Sequence, residues 1–527
     1  MRFHKTLGYT LLLVVIALAF LAWNQWSLIQ QQKNLLALLK SNPDKNLSVI
    51  VQAHAKKAKN FSSKPASIAT LSPGKTPLLP SPLDAASEEE QSRFPGASVI
   101  DAAEEEGPEL GQNTRVRILE TDFKYPYVRT EEVVDAATGN VVAREEMVAD
   151  HLLINLPEGQ TPSNFLKSFG PGALSMTRVT PNAPLYCLNL AGSSPEMLPW
   201  ALDQVIMIGG TLAVSEPDFI HQVALEPDYP VYNNRWGFLK VYDGLNAPNL
   251  WNKLSFAKPV LIAMVDSGIR DTHTDLKENI WCNPSPTSGD LHGWNAVADN
   301  GDPKDDNGHG THCAGIIGAL GKNNLDIIGI SPKVELMACK AFDNHGMGVS
   351  MDEIKCIDYA VDHGAEVLSC SWGGNEESPS LVGAINRARS AGVICVAGAG
   401  NDGFNNDKHP FYPANSALDN IISVAATTPT DELASFSNYG KKTVHLAAPG
   451  VSICSTFADT DSSYACASGT SMAVPYVAAT VALIKMQSPL LSYREVIPQL
   501  LNATDKVPAL DGKVVYGRLN IPKALGL

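Results

Sequence analysis

The amino-acid sequence predicts an α/β protein with an open, mostly parallel sheet and helices on both faces, preceded by a small α+β unit. Three observations carry that expectation. From residue 259 onward, short β-branched runs alternate with longer amphipathic stretches. The runs PVLIAMVD, VELMACKAFD, VLSCSWG, GVICVAGAG and IISVAA are apolar at successive positions, as strands covered on both faces must be. Strand, helix and strand repeated in this way build βαβ units rather than hairpins.

Taken in order, the chain opens with Arg2 and Lys5 before an apolar run from Tyr9 to Trp23. That run is short for a spanning helix and suits the core of a signal peptide, with Ala17-Leu18-Ala19 as a small-residue cleavage site. An uncleaved anchor that borrows Leu7 and Gly8 is the alternative, and either reading exports the rest of the chain. Residues 24–112 read as a modest polar helix (Ile29 to Leu39) and then a disordered linker. The stretch 61–112 is rich in Ser, Pro, Ala, Glu and Gly, with EEE at 88–90 and 104–106. Residues 113–223 read as the α+β unit. VRILE at 116–120 and HLLINL at 151–156 are its strands, a short helix lies around Asn164 to Phe169, and 201–225 continues the pattern. A linker is expected at 224–247, and the α/β unit at 248–527. Within it, 351–365 and 379–392 read as helices ended by glycine-containing turns.

Bulk properties bound the function. At 527 residues the chain needs more than one core. Its 40 basic and 55 acidic residues give a formal charge of -15, which argues against a nucleic-acid partner. Nine cysteines without CxxC spacing indicate neither a zinc site nor a disulfide scaffold, and those in apolar segments read as buried thiols.

The chemistry is concentrated in three short motifs. VDSGI puts Asp266 at the C-terminal end of a strand, where open α/β sheets hold reactive groups. HGTHCAG puts His309 between glycines at the start of a small-residue helix. GTSMAVP puts Ser471 at the N-terminus of an apolar helix, where free backbone N–H groups and the helix dipole favour a developing negative oxygen. Ser471 is then the nucleophile, His309 its general base, and Asp266 the acceptor that fixes the imidazole tautomer. Alone, Asp266 would read as a loop cap and Ser471 as a helix cap; their ordered occurrence with His309 outweighs that. His312 makes an HxxH pair with His309 but lacks a third ligand, and reads as structural. Asn401 in GAGND can offer its side-chain N–H to the oxyanion, although an Asn in that context is commonly a turn residue. Ser371, Trp372 and Gly373 follow a buried strand and offer an edge to an extended peptide.

Together with YPA at 412–414, FSNYG at 436–440, APG at 448–450 and GRLN at 517–520, these motifs resemble the subtilase family from Pro248 to the C-terminus. The resemblance implies a serine endopeptidase working through an acyl-enzyme on protein and peptide substrates, with Asp266, His309 and Ser471 as triad and Asn401 as oxyanion donor. It implies that Ser371, Trp372, Gly373, Ala399 and Gly400 line the substrate cleft. Cys313 beside the histidine is similar to the proteinase-K-like and thermitase-like branches. The unit before Pro248 resembles the family's propeptide, an intramolecular inhibitor whose AVSEPDF tail lies in the cleft. Asp275 matches a calcium ligand of the family, and Asn323, Asn324 and Asp326 stand where the rest of that structural site would be. The implied enzyme is an exported zymogen, secreted or held to a membrane by its N-terminal segment. The competing reading is a catalytically inactive, peptide-binding protein on the same fold.

Overall fold

The computed structural model describes residues 85–109, 111–156, 159–209, 214–223, 226–228, 236–242, 258–322, 327–331 and 333–527. The N-terminal apolar run, the helix expected at Ile29 to Leu39 and the loop Asn323 to Asp326 lie outside them. The chain divides into two compact units.

In the first unit, strands β1 (Ser98–Glu106), β2 (Gln112–Glu120), β3 (Tyr127–Asp135), β4 (Val141–Asn155), β5 (Ala173–Arg178) and β6 (Leu185–Leu190) form a sheet in the order β1-β2-β3-β4-β6-β5. The first four run antiparallel to one another. Ile118, Leu119, Val128, Leu152, Leu153 and Ile154 are fully buried on it, as are the inner residues of two helices, Pro162–Phe169 and Met197–Gly209. Phe165 and Phe169 meet at a tilt within the first helix, and Phe169 meets Trp200 of the second edge-on.

This unit corrects the C-terminal part of the linker expected over 61–112, whose residues 61–84 lie outside the described ones. Residues Glu88–Arg93 form a helix and 98–106 form β1. Composition suggested solvated glutamates, but Glu90 is fully buried and its charge is met inside. Arg117 Nε donates to it at 3.0 Å and Thr130 Oγ1 at 2.6 Å. Ser87 and Glu90 close a capping box that starts the helix. Burial alone would raise the Glu90 carboxyl, but the Thr130, Ser87 and Arg117 donors hold it below the ordinary glutamate range.

The second unit contains residues 178–186 and 218–527. It takes in the C-terminal part of β7 (Val214–Val223) and β8 (Glu226–Asp228). Seven strands form one sheet: β9 (Val260–Asp266), β10 (Gly293–Asn295), β11 (Val334–Lys340), β13 (Val367–Cys370), β15 (Ile394–Gly398), β16 (Ile421–Thr427) and β17 (Leu446–Pro449). Their order is β10-β11-β9-β13-β15-β16-β17, and every pairing is parallel. Short strands β12 (Met347–Val349) and β14 (Trp372–Gly373) lie outside this sheet, and β18 (Ile453–Phe457) pairs antiparallel with β19 (Ser463–Ser468).

Because β9 lies between β11 and β13, chain order reverses at β9, and its C-terminal end is a switch point of the kind where α/β sheets place their sites. Helix His309–Gly318 is buried at every residue, and helix Thr470–Gln487 from Thr470 to Met486. A helix apolar all round belongs inside a core, and these two small-residue helices run through it. Helices Ser350–Asp362 and Pro379–Ser390 agree with the expected ones.

The stretch expected as a linker at 224–247 is corrected where it is described, at 226–228 and 236–242. Residues Trp236–Val241 form a helix that seals one side of the core. Val241 and Tyr242 are fully buried, Trp236 Nε1 donates to Val451 O at 3.0 Å, and Tyr242 Oη donates to Ile330 O at 2.7 Å. A disulfide joins Cys454 to Cys466 across β18 and β19, while the thiols of Cys313, Cys339, Cys356, Cys370 and Cys395 are buried.

Candidate active site

Asp266 ends β9, and Gly268 turns the chain at once with φ of 109°. A Cβ there would stand 2.4 Å from Pro303 O, so the turn needs glycine. His309 opens its helix, and its Nδ1 lies 2.7 Å from Asp266 Oδ1, both side chains being fully buried. Burial by itself would depress the imidazole; the adjacent Asp266 carboxylate overrides it, and the His309 pKa stands well above its ordinary value of 6.5. Among the described residues, none hydrogen-bonds His309 Nε2.

Ser471 is the second residue of the helix Thr470–Gln487 and is 3% exposed. Its Oγ donates to Ser371 O at 2.9 Å, and Ser371 Oγ donates to Ser471 O at 3.0 Å. Cys313 Sγ lies 4.0 Å from His309 Nδ1 and 3.5 Å from Ser471 O, so imidazole and serine share one thiol as neighbour. Burial pushes that thiol up, against the lowering influence of His309.

Asn401 joins the same cluster through Thr470. Its Oδ1 accepts from Thr470 N at 2.8 Å and from Thr470 Oγ1 at 3.0 Å. Two donors at that end fix the amide, leaving its NH2 as the donating end. Thr470 carries no signal of this role in the sequence, since the partners are 69 residues apart. Ala399 and Gly400 continue directly from β15 into Asn401, with Ala399 fully buried. Trp372 is buried and held by its Nε1, which donates to Val265 O at 2.7 Å, and Gly373 pairs with β7.

His312 points away from a metal role: its Nε2 lies 3.0 Å from Ile453 O and 3.2 Å from Ala465 O. Burial pushes its pKa down to about 4, so it is neutral and donates to those carbonyls. One donor atom each of Asp266, His309 and Cys313 lie within 4.8 Å of one another, close enough to share a metal ion. A nitrogen and a thiol in that set suit a soft ion better than calcium. Asp275 is fully buried elsewhere, its Oδ1 accepting from Lys322 N at 2.9 Å and its Oδ2 from Tyr464 Oη at 2.8 Å.

A buried carboxylate–imidazole pair beside a serine at a helix N-terminus is the equipment of an acyl-transfer hydrolase. Comparison with known proteins makes that class specific. A sequence model of the Subtilase family matches residues 257–517. Thermitase of Thermoactinomyces vulgaris is 36% identical over 300 residues, which cover 57% of this chain and 99% of thermitase. Thermophilic serine proteinase of Bacillus sp. (strain AK1) is 35% identical over 308 residues, 58% of this chain and 71% of that one. Minor extracellular protease Epr of Bacillus subtilis (strain 168) is 39% identical over 239 residues, 45% and 34% of the two chains. The chain belongs to the subtilase family and is a protease. Among the described residues, no helix is long and apolar enough to cross a membrane.

Proposed function

We propose that the chain is a serine endopeptidase made as an exported, self-inhibited precursor. In this mechanism Ser471 Oγ gives up its bond to Ser371 O, and His309 Nε2 takes its proton as Oγ attacks the substrate carbonyl carbon. Asp266 holds the Nδ1–H and stabilises the imidazolium. The Asn401 NH2 and the Ser471 backbone N–H receive the oxyanion. His309 then protonates the leaving amine, and water, activated by the same imidazole, hydrolyses the acyl-enzyme. The observation that carries this reading is the fully buried Asp266–His309 pair at 2.7 Å, sharing Cys313 with Ser471.

The precursor reading rests on residues 218–223. Residues 220–223 pair antiparallel with β12 and β14, so an extended segment is seated between them by main-chain bonds. Beyond it, Glu226 pairs with Ser468, three residues before Ser471. Residues 178–186 support the same reading: Thr180 Oγ1 donates to Asp358 at 2.6 Å and Asn182 Nδ2 to Asp362 at 3.1 Å, on helix Ser350–Asp362. The first unit would then be the propeptide. A structural calcium ion fits Asp275, a buried carboxylate met by neutral donors, whose oxygens are of the hard kind calcium takes. Asn323, Asn324 and Asp326 would complete the site. Membrane attachment, if any, belongs to the N-terminal apolar run.

A fluorophosphonate probe tests the enzyme against the inactive peptide-binding alternative. Wild-type protein should be labelled at Ser471, and Ser471→Ala or His309→Ala protein should not. Absence of labelling in matured wild-type protein, or peptide cleavage by the Ser471→Ala variant, overturns the mechanism.

A further inference from the structure

The segment that pairs with β12 and β14 is gripped by more than its backbone. Ile220 pairs with Val349, His221 with Gly348, Gln222 with both Met347 and Gly373, and Val223 with Trp372. These pairings are main-chain contacts and accept almost any sequence. One side chain is treated differently. His221 Nδ1 lies 2.7 Å from Glu353 Oε1 and 2.9 Å from Oε2, in a pocket where His221 is 2% exposed and Glu353 fully buried. The imidazole stacks on the Trp372 indole, with centroids 5.9 Å apart and planes 21° apart. That indole is fixed by its own bond to Val265 O. A Cβ at Gly374 would stand 2.6 Å from the imidazole Cδ2, so glycine makes the room.

We propose that Glu353, with Trp372 and Gly374, forms a specificity pocket that selects substrates with histidine two residues before the residue that pairs with Trp372. This deepens the protease reading and rests on it. A buried carboxylate strongly favours an occupant that donates a hydrogen bond and carries or can take a positive charge. An apolar side chain would leave it desolvated and without that bond, and truncating one member of such a pair is among the costlier changes at an interface. Stacking adds a demand for a flat ring, so histidine fits better than lysine. Burial pushes the Glu353 carboxyl above its ordinary range, with His221 pulling against it, so the group depends on its partner for its charge. The two side chains are 132 residues apart in sequence, and nothing local announces the pocket.

The test uses matured enzyme from the full chain and a set of fluorogenic peptides sharing the sequence of residues 218–223, with His, Lys, Gln or Leu at the His221 position. Wild-type enzyme should cleave the His peptide with kcat/KM at least tenfold above the Leu peptide. Glu353→Gln, which keeps an acceptor and loses the charge, should reduce that ratio, and Glu353→Leu should abolish or invert it. Each reading is a ratio of two peptides on one preparation, so a partly misfolded variant does not distort it. A His-to-Leu ratio near one in wild-type enzyme, or a ratio unchanged in Glu353→Leu, overturns the pocket and leaves the protease reading standing. Failure to cleave any peptide overturns both.

Discussion

Replacing Asn401 separates chemistry from architecture, because the proposed mechanism gives its two ends different work. The Oδ1 end accepts from Thr470 N and Oγ1 at the start of the serine helix. The NH2 end is the donor assigned to the oxyanion. Asn401→Asp keeps the acceptor and removes the donor; Asn401→Leu removes both. Losing one oxyanion donor costs about a hundred- to a thousandfold in kcat, or about 3–4 kcal/mol, with KM little changed because the bond matters chiefly in the transition state. That magnitude is the one known for such a donor in subtilisin, a member of the same family. Asn401→Leu should also lose about 1–3 kcal/mol of stability, since it strands the N–H of Thr470, which is 2% exposed. Asn401→Asp should spare most of that stability and still lose turnover, with the new charge deepening the loss. Steady-state kinetics normalised by active-site titration, beside urea unfolding curves, read the two effects separately. A folded Asn401→Leu enzyme whose turnover falls less than about fivefold would remove Asn401 from the mechanism.

Three further outcomes are expected. Ser471→Ala should accumulate as an uncut precursor in a protease-deficient host, while wild-type protein acquires a new N-terminus at residues 224–226, between the segments paired to Trp372 and Ser468; N-terminal sequencing decides it, and identical maturation of the mutant refutes self-processing. The base form of His309 must be neutral, so kcat/KM should fall as pH drops through a pKa above the ordinary 6.5. In Asp266→Asn, where burial acts without the opposing carboxylate, that limb should move to lower pH while kcat drops sharply, and an unmoved limb in the pH–rate profile would refute the assignment. Calcium should raise the melting temperature of matured enzyme, by the equivalent of about 2.7 kcal/mol at a hundred times its dissociation constant, and Asp275→Ala should abolish the gain; melting curves that superimpose in calcium and chelator refute the site.

The central sheet was legible in the sequence for a physical reason. Strands covered on both faces cannot alternate, so Val260–Asp266 and Ile421–Thr427 stand out as unbroken apolar runs, each buried at every position. Asp266, His309 and Ser471 stand out as candidates in the sequence because small residues surround them, as they must if helices are to pass close by. What escaped was everything set by distant partners. The glutamates at 88–90 read as solvated charge because Arg117 and Thr130, which bury Glu90, lie far along the chain. Residues Trp236–Val241 follow a run of turn formers, and the burial of Phe238, Val241 and Tyr242 in the core is not visible in local pattern. The grip of Thr470 on Asn401 and of Glu353 on His221 likewise depends on tertiary register, which local pattern does not encode.

On the precursor reading, the strand 218–223 belongs to the same chain as the cleft it fills. A tethered segment meets its site at an effective concentration set by the connection, in the millimolar range for short flexible links. While the chain is whole, that occupancy is indifferent to how much protein is present. Once the chain is cut nearby, the same contacts become those of two separate molecules, and their survival depends on volume. On the precursor reading, the cut therefore creates an inhibitor that dilution can remove. Enzyme confined to a narrow space would stay silent after processing, while enzyme released into open medium would begin work without any second event. The delay between cleavage and activity would then measure the size of the compartment.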